Sequence, residues 1–96
     1  MTLEELRLTR RDQILQVAAR NAVRNVRVFG STARGETSIE SDIDFLVDLD
    51  PGRTLMDLGG LLMDLQELLE ARVDVATEGM LRPKVRERVL ADTVPL

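Results

Sequence analysis

The stretch Asp42-Ile43-Asp44-Phe45-Leu46-Val47-Asp48-Leu49-Asp50 sets the tightest limit on what this chain can fold into. Side chains on a strand alternate between faces. As a strand, the segment turns Ile43, Phe45, Val47 and Leu49 one way and Asp42, Asp44, Leu46, Asp48 and Asp50 the other. The apolar face demands a covering layer, and the opposite face gathers carboxylates.

The flanking segments supply the cover. Thr2 and Glu5 make a capping-box pattern, and Leu3, Leu6, Ile14, Val17 and Ala18 follow at helical spacing. The spacing predicts a first helix to about Asn25, with a second cap available at Thr9/Asp12. Val26-Arg27-Val28-Phe29 reads as a strand ended by Gly30, and residues 31–41 as a helical turn plus loop. Asp50-Pro51-Gly52-Arg53 is a turn, after which Thr54 caps a helix with Leu55, Leu58, Leu62, Leu65 and Leu69 inward, widened by Leu61 and Leu68. Gly59-Gly60 inside it reads as close helix–sheet packing or as a hinge. Arg72–Ala76 makes a third strand, and a last helix starts near Pro83 with Val85, Val89 and Leu90 inward. About a dozen residues between the first two strands is short for a parallel crossover. The expected class is α+β, a three-stranded mixed sheet covered by helices in one domain, 1–96.

Composition removes most catalytic chemistries. The 96 residues contain no His, Cys, Tyr or Trp and only two Phe. Imidazole acid–base catalysis, zinc-thiolate sites and disulfides are therefore excluded, and base stacking on aromatics has almost nothing to work with. With 13 basic and 17 acidic residues the net charge is −4, which disfavours general binding to nucleic acid. No apolar run approaches the roughly 18 residues of a membrane span, and the N-terminus lacks a signal-peptide pattern. A cytoplasmic protein is expected, working through carboxylates, hydroxyls, guanidinium groups, backbone N–H groups and a hard cation.

Asp42 and Asp44, two apart on a strand, lie roughly 6.5 Å apart on one face. Their mutual repulsion is relieved by a cation such as Mg²⁺, which takes one or two carboxylates plus substrate phosphates. The plainer alternative is a solvated acidic edge, the reading that suits Asp48 and Asp50. Gly30-Ser31, where a strand runs into a helical turn, offers N–H groups and a hydroxyl to phosphate, and in the same turn Arg34 adds a fixed cation, a candidate nucleotide-binding residue, and Gly35 a flexible position; alternatively it is turn chemistry alone. Asp74, inside Val73-Asp74-Val75, either points to solvent or joins Asp42 and Asp44 if its strand lies beside theirs.

Gly30-Ser31-Thr32-Ala33-Arg34-Gly35 through Ser41-Asp42-Ile43-Asp44 resembles the Gly-Ser-x10-Asp-x-Asp signature of the polymerase-beta-like nucleotidyltransferases. Length and the Ala-Arg-Gly form are similar to the minimal nucleotidyltransferase (MNT) antitoxins of HEPN/MNT toxin–antitoxin pairs. The resemblance implies that Gly30 and Ser31 hold a triphosphate and that Asp42 and Asp44 ligate two Mg²⁺ ions. It also makes Asp74 the third carboxylate and Ser41 a residue of the nucleotide-binding loop that caps or orients Asp42. Ala71 stands where related chains often turn with Gly.

The activity implied by the resemblance is transfer of AMP from ATP to a hydroxyl, expected on Tyr, of a HEPN ribonuclease toxin, with release of pyrophosphate. So short a chain lacks room for an acceptor-binding domain, so a partner protein is expected. A non-catalytic antitoxin acting by binding is the alternative; a small-molecule nucleotidyltransferase and a nucleic-acid end-transferase rank below it.

Overall fold

The computed structural model describes residues 1–36, 38 and 41–96. Its framework is a four-stranded sheet in the order β3-β2-β1-β4, built from β1 (Val23–Phe29), β2 (Ile43–Leu49), β3 (Val73–Ala76) and β4 (Val94–Pro95). The β1–β2 and β1–β4 pairs are antiparallel, and β2–β3 is parallel. The α+β class and mixed sheet agree with the sequence reading, whereas the strand count is four rather than three. The extra strand is two residues long and half proline. Such a segment carries no alternation, and Pro, lacking an N–H, fits only an edge. It pairs Val94 with Val28 and Pro95 with Arg27, and the Arg7 guanidinium also donates to the Pro95 carbonyl.

Two helices cover one face. The first helical segment opens as α1 (Leu3–Glu5), where the Thr2 hydroxyl accepts from the Glu5 N–H at 3.1 Å. It widens to a π-helical turn over Leu6–Arg10 and continues as α2 (Arg11–Arg20). No second cap forms at Thr9, whose hydroxyl donates back to the Glu5 carbonyl. After a short α3 (Gly30–Arg34), α4 (Leu55–Leu69) connects β2 to β3. Its capping box is complete, with the Asp57 carboxylate accepting from the Thr54 N–H at 2.9 Å. Ile14, Val17 and Ala18 of α2 join Leu58, Leu61, Leu65 and Leu69 of α4 in one core with Ile43, Phe45 and Val47. Leu55 is a correction: it sits in the first turn beyond the sheet and is 65% exposed.

The first helix ends earlier than expected, at Arg20. Asn21 stops it by donating from Nδ2 to the Val17 carbonyl and to Asp64 Oδ2, each at 2.9 Å, and Ala22 then turns left-handed at φ 58°. Strand β1 therefore starts at Val23. A bulge at left-handed Asn25 (φ 53°) adds a residue between Arg24 and Arg27. That extra residue is why Val23 and Val26, three apart, both reach the core. Gly60 is a packing glycine, in line with the simpler reading, although its neighbour is Asn21 at the end of α2 rather than the sheet. A Cβ there would come within 2.8 Å of Asn21 Oδ1.

The last helix, α5 (Pro83–Asp92), departs most from expectation. It buries no residue fully; Val89 is half-buried, and Val85 and Leu90 are exposed. It packs against α3 and β1 at the end of the sheet rather than across the main core. Among the described residues, no helix is long and apolar enough to cross a membrane.

Candidate active site

The acidic face of β2 divides into two halves with different partners. Toward its C-terminal end, Asp48 receives Arg27 at 2.8 Å and Asn25 at 2.9 Å, and Asp50 receives Arg24 at 3.3 Å. These two carboxylates staple β2 to β1, consistent with an ordinary strand surface. Leu46 between the halves is fully buried, outside the main core cluster.

Toward the N-terminal end the chemistry changes. Asp44 makes neither hydrogen bond nor ion pair with any described residue. Parallel pairing sets Asp44 opposite Asp74, and antiparallel pairing sets it opposite Phe29, the residue before Gly30. Partial burial, then the negative charges of Asp74 and Asp42, push the Asp44 carboxyl up to about 6, against a smaller opposing pull from Arg34. The three carboxylates that the sequence singles out are thus electrostatic neighbours. Asp42 Oδ1 is buried without a well-formed hydrogen bond among the described residues but has Arg72 Nε at 3.1 Å. Arg72 is absent from the residues that the sequence singles out, although it immediately precedes β3.

Gly30 locks the loop to this cluster. Its φ is +71°, a left-handed conformation that costs an L-residue about 1–2 kcal/mol. A Cβ at this position would also collide with Asp44 Oδ2. Two requirements therefore converge on glycine, one conformational and one from the close approach of the carboxylate. Ser31 is partly exposed in the first turn of α3, and its carbonyl accepts from the Glu36 N–H at 2.9 Å. Thr32 beside it is 1% exposed, with a hydroxyl that finds no partner among the described residues. Gly35, left-handed at φ 75°, closes the turn.

The other sequence-derived residues, Ser41 and Arg34, make their hydrogen bonds to groups outside the three carboxylates. Ser41 Oγ accepts from the Ser38 N–H at 3.0 Å and bonds the Ser38 hydroxyl at 3.1 Å, so it ties the loop ahead of β2 rather than bonding Asp42. Thr37, Ile39 and Glu40 of the expected loop lie outside the described residues. Arg34 donates to Glu36 at 2.9 Å and to Asp92 at 3.0 Å, and those bonds, Glu36 first, raise its pKa further. Asp92 belongs to α5, so Arg34 bridges the loop to the last helix.

No three described His, Cys, Asp or Glu side chains form a ready metal-holding group. Magnesium is commonly bound by one or two carboxylates with water and substrate phosphate completing the shell, not by an all-protein cage. Asp44, without an ion pair or hydrogen bond among the described residues, beside two further carboxylates and against a glycine that leaves room at its oxygen, is a donor set of that kind.

Comparison with known proteins agrees with the geometry. Residues 11–96 match the nucleotidyltransferase domain model. Protein adenylyltransferase MntA of Thermococcus cleftensis is 34% identical over 94 residues, covering 98% of this chain and 95% of that protein. A solved structure provisionally described as a minimal nucleotidyltransferase superposes with TM-score 0.85 at 48% identity, covering 100% of this chain and 97% of the other. The fold is also that of a structure of tri-AMPylated Shewanella oneidensis HEPN toxin with its MNT antitoxin, at TM-score 0.65 and 17% identity, covering 88% and 66% of the two chains. From the strand-borne carboxylates, the Gly-Ser turn set against them and this match over most of its length, the chain belongs to the nucleotidyltransferase domain family.

Proposed function

We propose that this chain is a protein adenylyltransferase antitoxin, moving AMP from ATP to a hydroxyl, expected to be a Tyr, of a HEPN-domain toxin. The observation that carries this reading is the juxtaposition of Gly30 with Asp44, and of Asp44 with Asp74 across the β2–β3 register. Gly30, in a turn suited to phosphate, lies against Asp44, which has Asp74 and Asp42 as electrostatic neighbours. The MntA relative and the AMPylated toxin in complex with its MNT antitoxin support the choice of a protein acceptor.

Gly30 and Ser31 hold the phosphates, and Asp42, Asp44 and Asp74 are the residues that would hold two Mg²⁺ ions. When bound, the metal supplies neutralisation of the triphosphate and of the leaving pyrophosphate, and a lowered pKa for the acceptor hydroxyl. The acceptor oxygen forms a bond to the α-phosphorus, and the bond from that phosphorus to the bridging oxygen of the β-phosphate breaks. Asp74 is exposed at the edge of the cluster and is the carboxylate best placed to take the acceptor's proton. No His or Cys competes for that role.

Co-expression tests this reading. A HEPN-domain partner recovered alongside the wild-type chain should show, by intact-mass measurement, the mass of one or more AMP groups. Partner recovered alongside Asp42→Asn or Asp44→Asn should be unmodified. Unmodified partner in every case, with toxicity still suppressed, would mean that the chain acts by binding alone.

A further inference from the structure

A cavity next to Gly30 lies outside the three carboxylates. It has a volume of about 250 Å³ and is lined by Phe29, Gly30 and Arg34 and by Val85, Arg88, Val89 and Asp92 of α5. Those four α5 positions fall at i, i+3, i+4 and i+7, which is a single helix face. The face is too open to be core and combines apolar contact area with charge, as a nucleotide site does. Gly30 belongs both to this cavity and to the contact with Asp44. A ligand in the cavity therefore abuts the carboxylate cluster.

An anionic ligand beside three carboxylates needs a cation, and the two guanidinium groups on the cavity wall are not equivalent. Arg34 is held by Glu36 and Asp92, so its charge is already matched. Arg88 has no ion pair or hydrogen bond with any described residue. We infer that Arg88 is a nucleotide-binding residue, contacting the phosphate tail of a nucleoside triphosphate from α5, and that Arg34 is a positioning residue that fastens α3 to α5 through Asp92. This inference rests on the proposed nucleotidyltransferase function and adds to it a phosphate contact outside the Gly-Ser turn. The sequence held one signal for it: Arg88 and Asp92 share a helix face with Val85 and Val89, which the periodicity alone assigns to the core.

Calorimetric titration of the purified chain with ATP and with AMP, both with Mg²⁺, tests the assignment. Arg88→Gln should weaken ATP by about tenfold or more, as expected for loss of a charge-assisted bond to phosphate, and AMP by much less. Arg88→Lys should recover most of the ATP affinity. Arg88 is exposed and unpaired among the described residues, so both variants should melt with the wild type in circular dichroism. Wild-type ATP affinity in Arg88→Gln overturns the assignment while leaving the proposed function intact. Equal losses for ATP and AMP overturn it too, because the phosphate tail would then not be what Arg88 reads. A wild-type chain that binds no ATP at millimolar concentration defeats the nucleotidyltransferase reading itself.

Discussion

Replacing Asp44 by Asn should make the metal-free chain more stable, although it removes a residue placed at the centre of the site. Burial and the charges of Asp74 and Asp42 raise this carboxyl from its ordinary 3.8 to about 6. That difference converts to about 3 kcal/mol of penalty on the ionised form. Asp44 is only half-buried, so water screens part of the repulsion and about 1–2 kcal/mol remains. The sign comes from proton linkage: an acid whose folded pKa is raised takes up protons on folding, so its contribution to stability falls as pH rises. Below about pH 4 the group is protonated in both states and carries no penalty; above about pH 6 it is ionised in both and the penalty is complete. Urea unfolding of wild type and Asp44→Asn in the presence of a chelator, at several pH values from 4 to 8, isolates the effect from other titrating groups. The variant should be more stable by about 1–2 kcal/mol at pH 7.5, worth about 4–8 °C of melting temperature per kcal/mol in a domain this size, and the gap should close toward pH 4. A variant no more stable than wild type at pH 7.5, or a gap that does not depend on pH, refutes the repulsive cluster.

Two further substitutions probe the backbone around the site. Gly30→Ala should destabilise by at least about 1 kcal/mol, because φ is +71° and the new Cβ meets Asp44. In an Asp44→Ala background the same change should cost measurably less, so a double-mutant cycle by denaturant unfolding should be non-additive. Glu70 ends α4 in a left-handed conformation, φ 50°, and Glu70→Gly should stabilise by about 0.5–1 kcal/mol in the same assay. Loss of stability there would mean that Glu70 contributes contacts outweighing its backbone strain.

The elements legible in the sequence are those whose period is strong. Alternation gave β2 and both its faces, the leucine repeat gave α4, and the Asp-x-Asp spacing placed Asp42 and Asp44 on one face. The elements that escaped depend on contacts between distant segments. Strand β4 exists because Val94 finds Val28, and two residues ending in proline advertise nothing of that. The end of α2 is set by Asn21 reaching Asp64, and the bulge in β1 by Asn25 turning left-handed. Both asparagines sit inside a stretch whose apolar spacing suits a helix equally well. Helix α5 misled because Val85 and Val89 fit a core stripe, yet the helix docks at the end of the sheet where that stripe borders a cavity. Within the site, proximity of Asp74 required the β2–β3 register, and the pairing of Arg34 with Asp92 required α5. Residues that act through tertiary partners, such as Arg72 at Asp42, left no local signature.

The most direct test of the proposed activity supplies purified chain, Mg²⁺ and a purified HEPN-domain partner with ATP labelled either on its α-phosphate or on its γ-phosphate. Label from the α-position should appear on the partner, label from the γ-position should not, and a chelator, Asp42→Asn or Asp44→Asn should each abolish transfer. A partner silenced as completely by both variants as by wild type, with no label transferred in any case, would contradict an enzymatic antitoxin and leave a binding protein in its place.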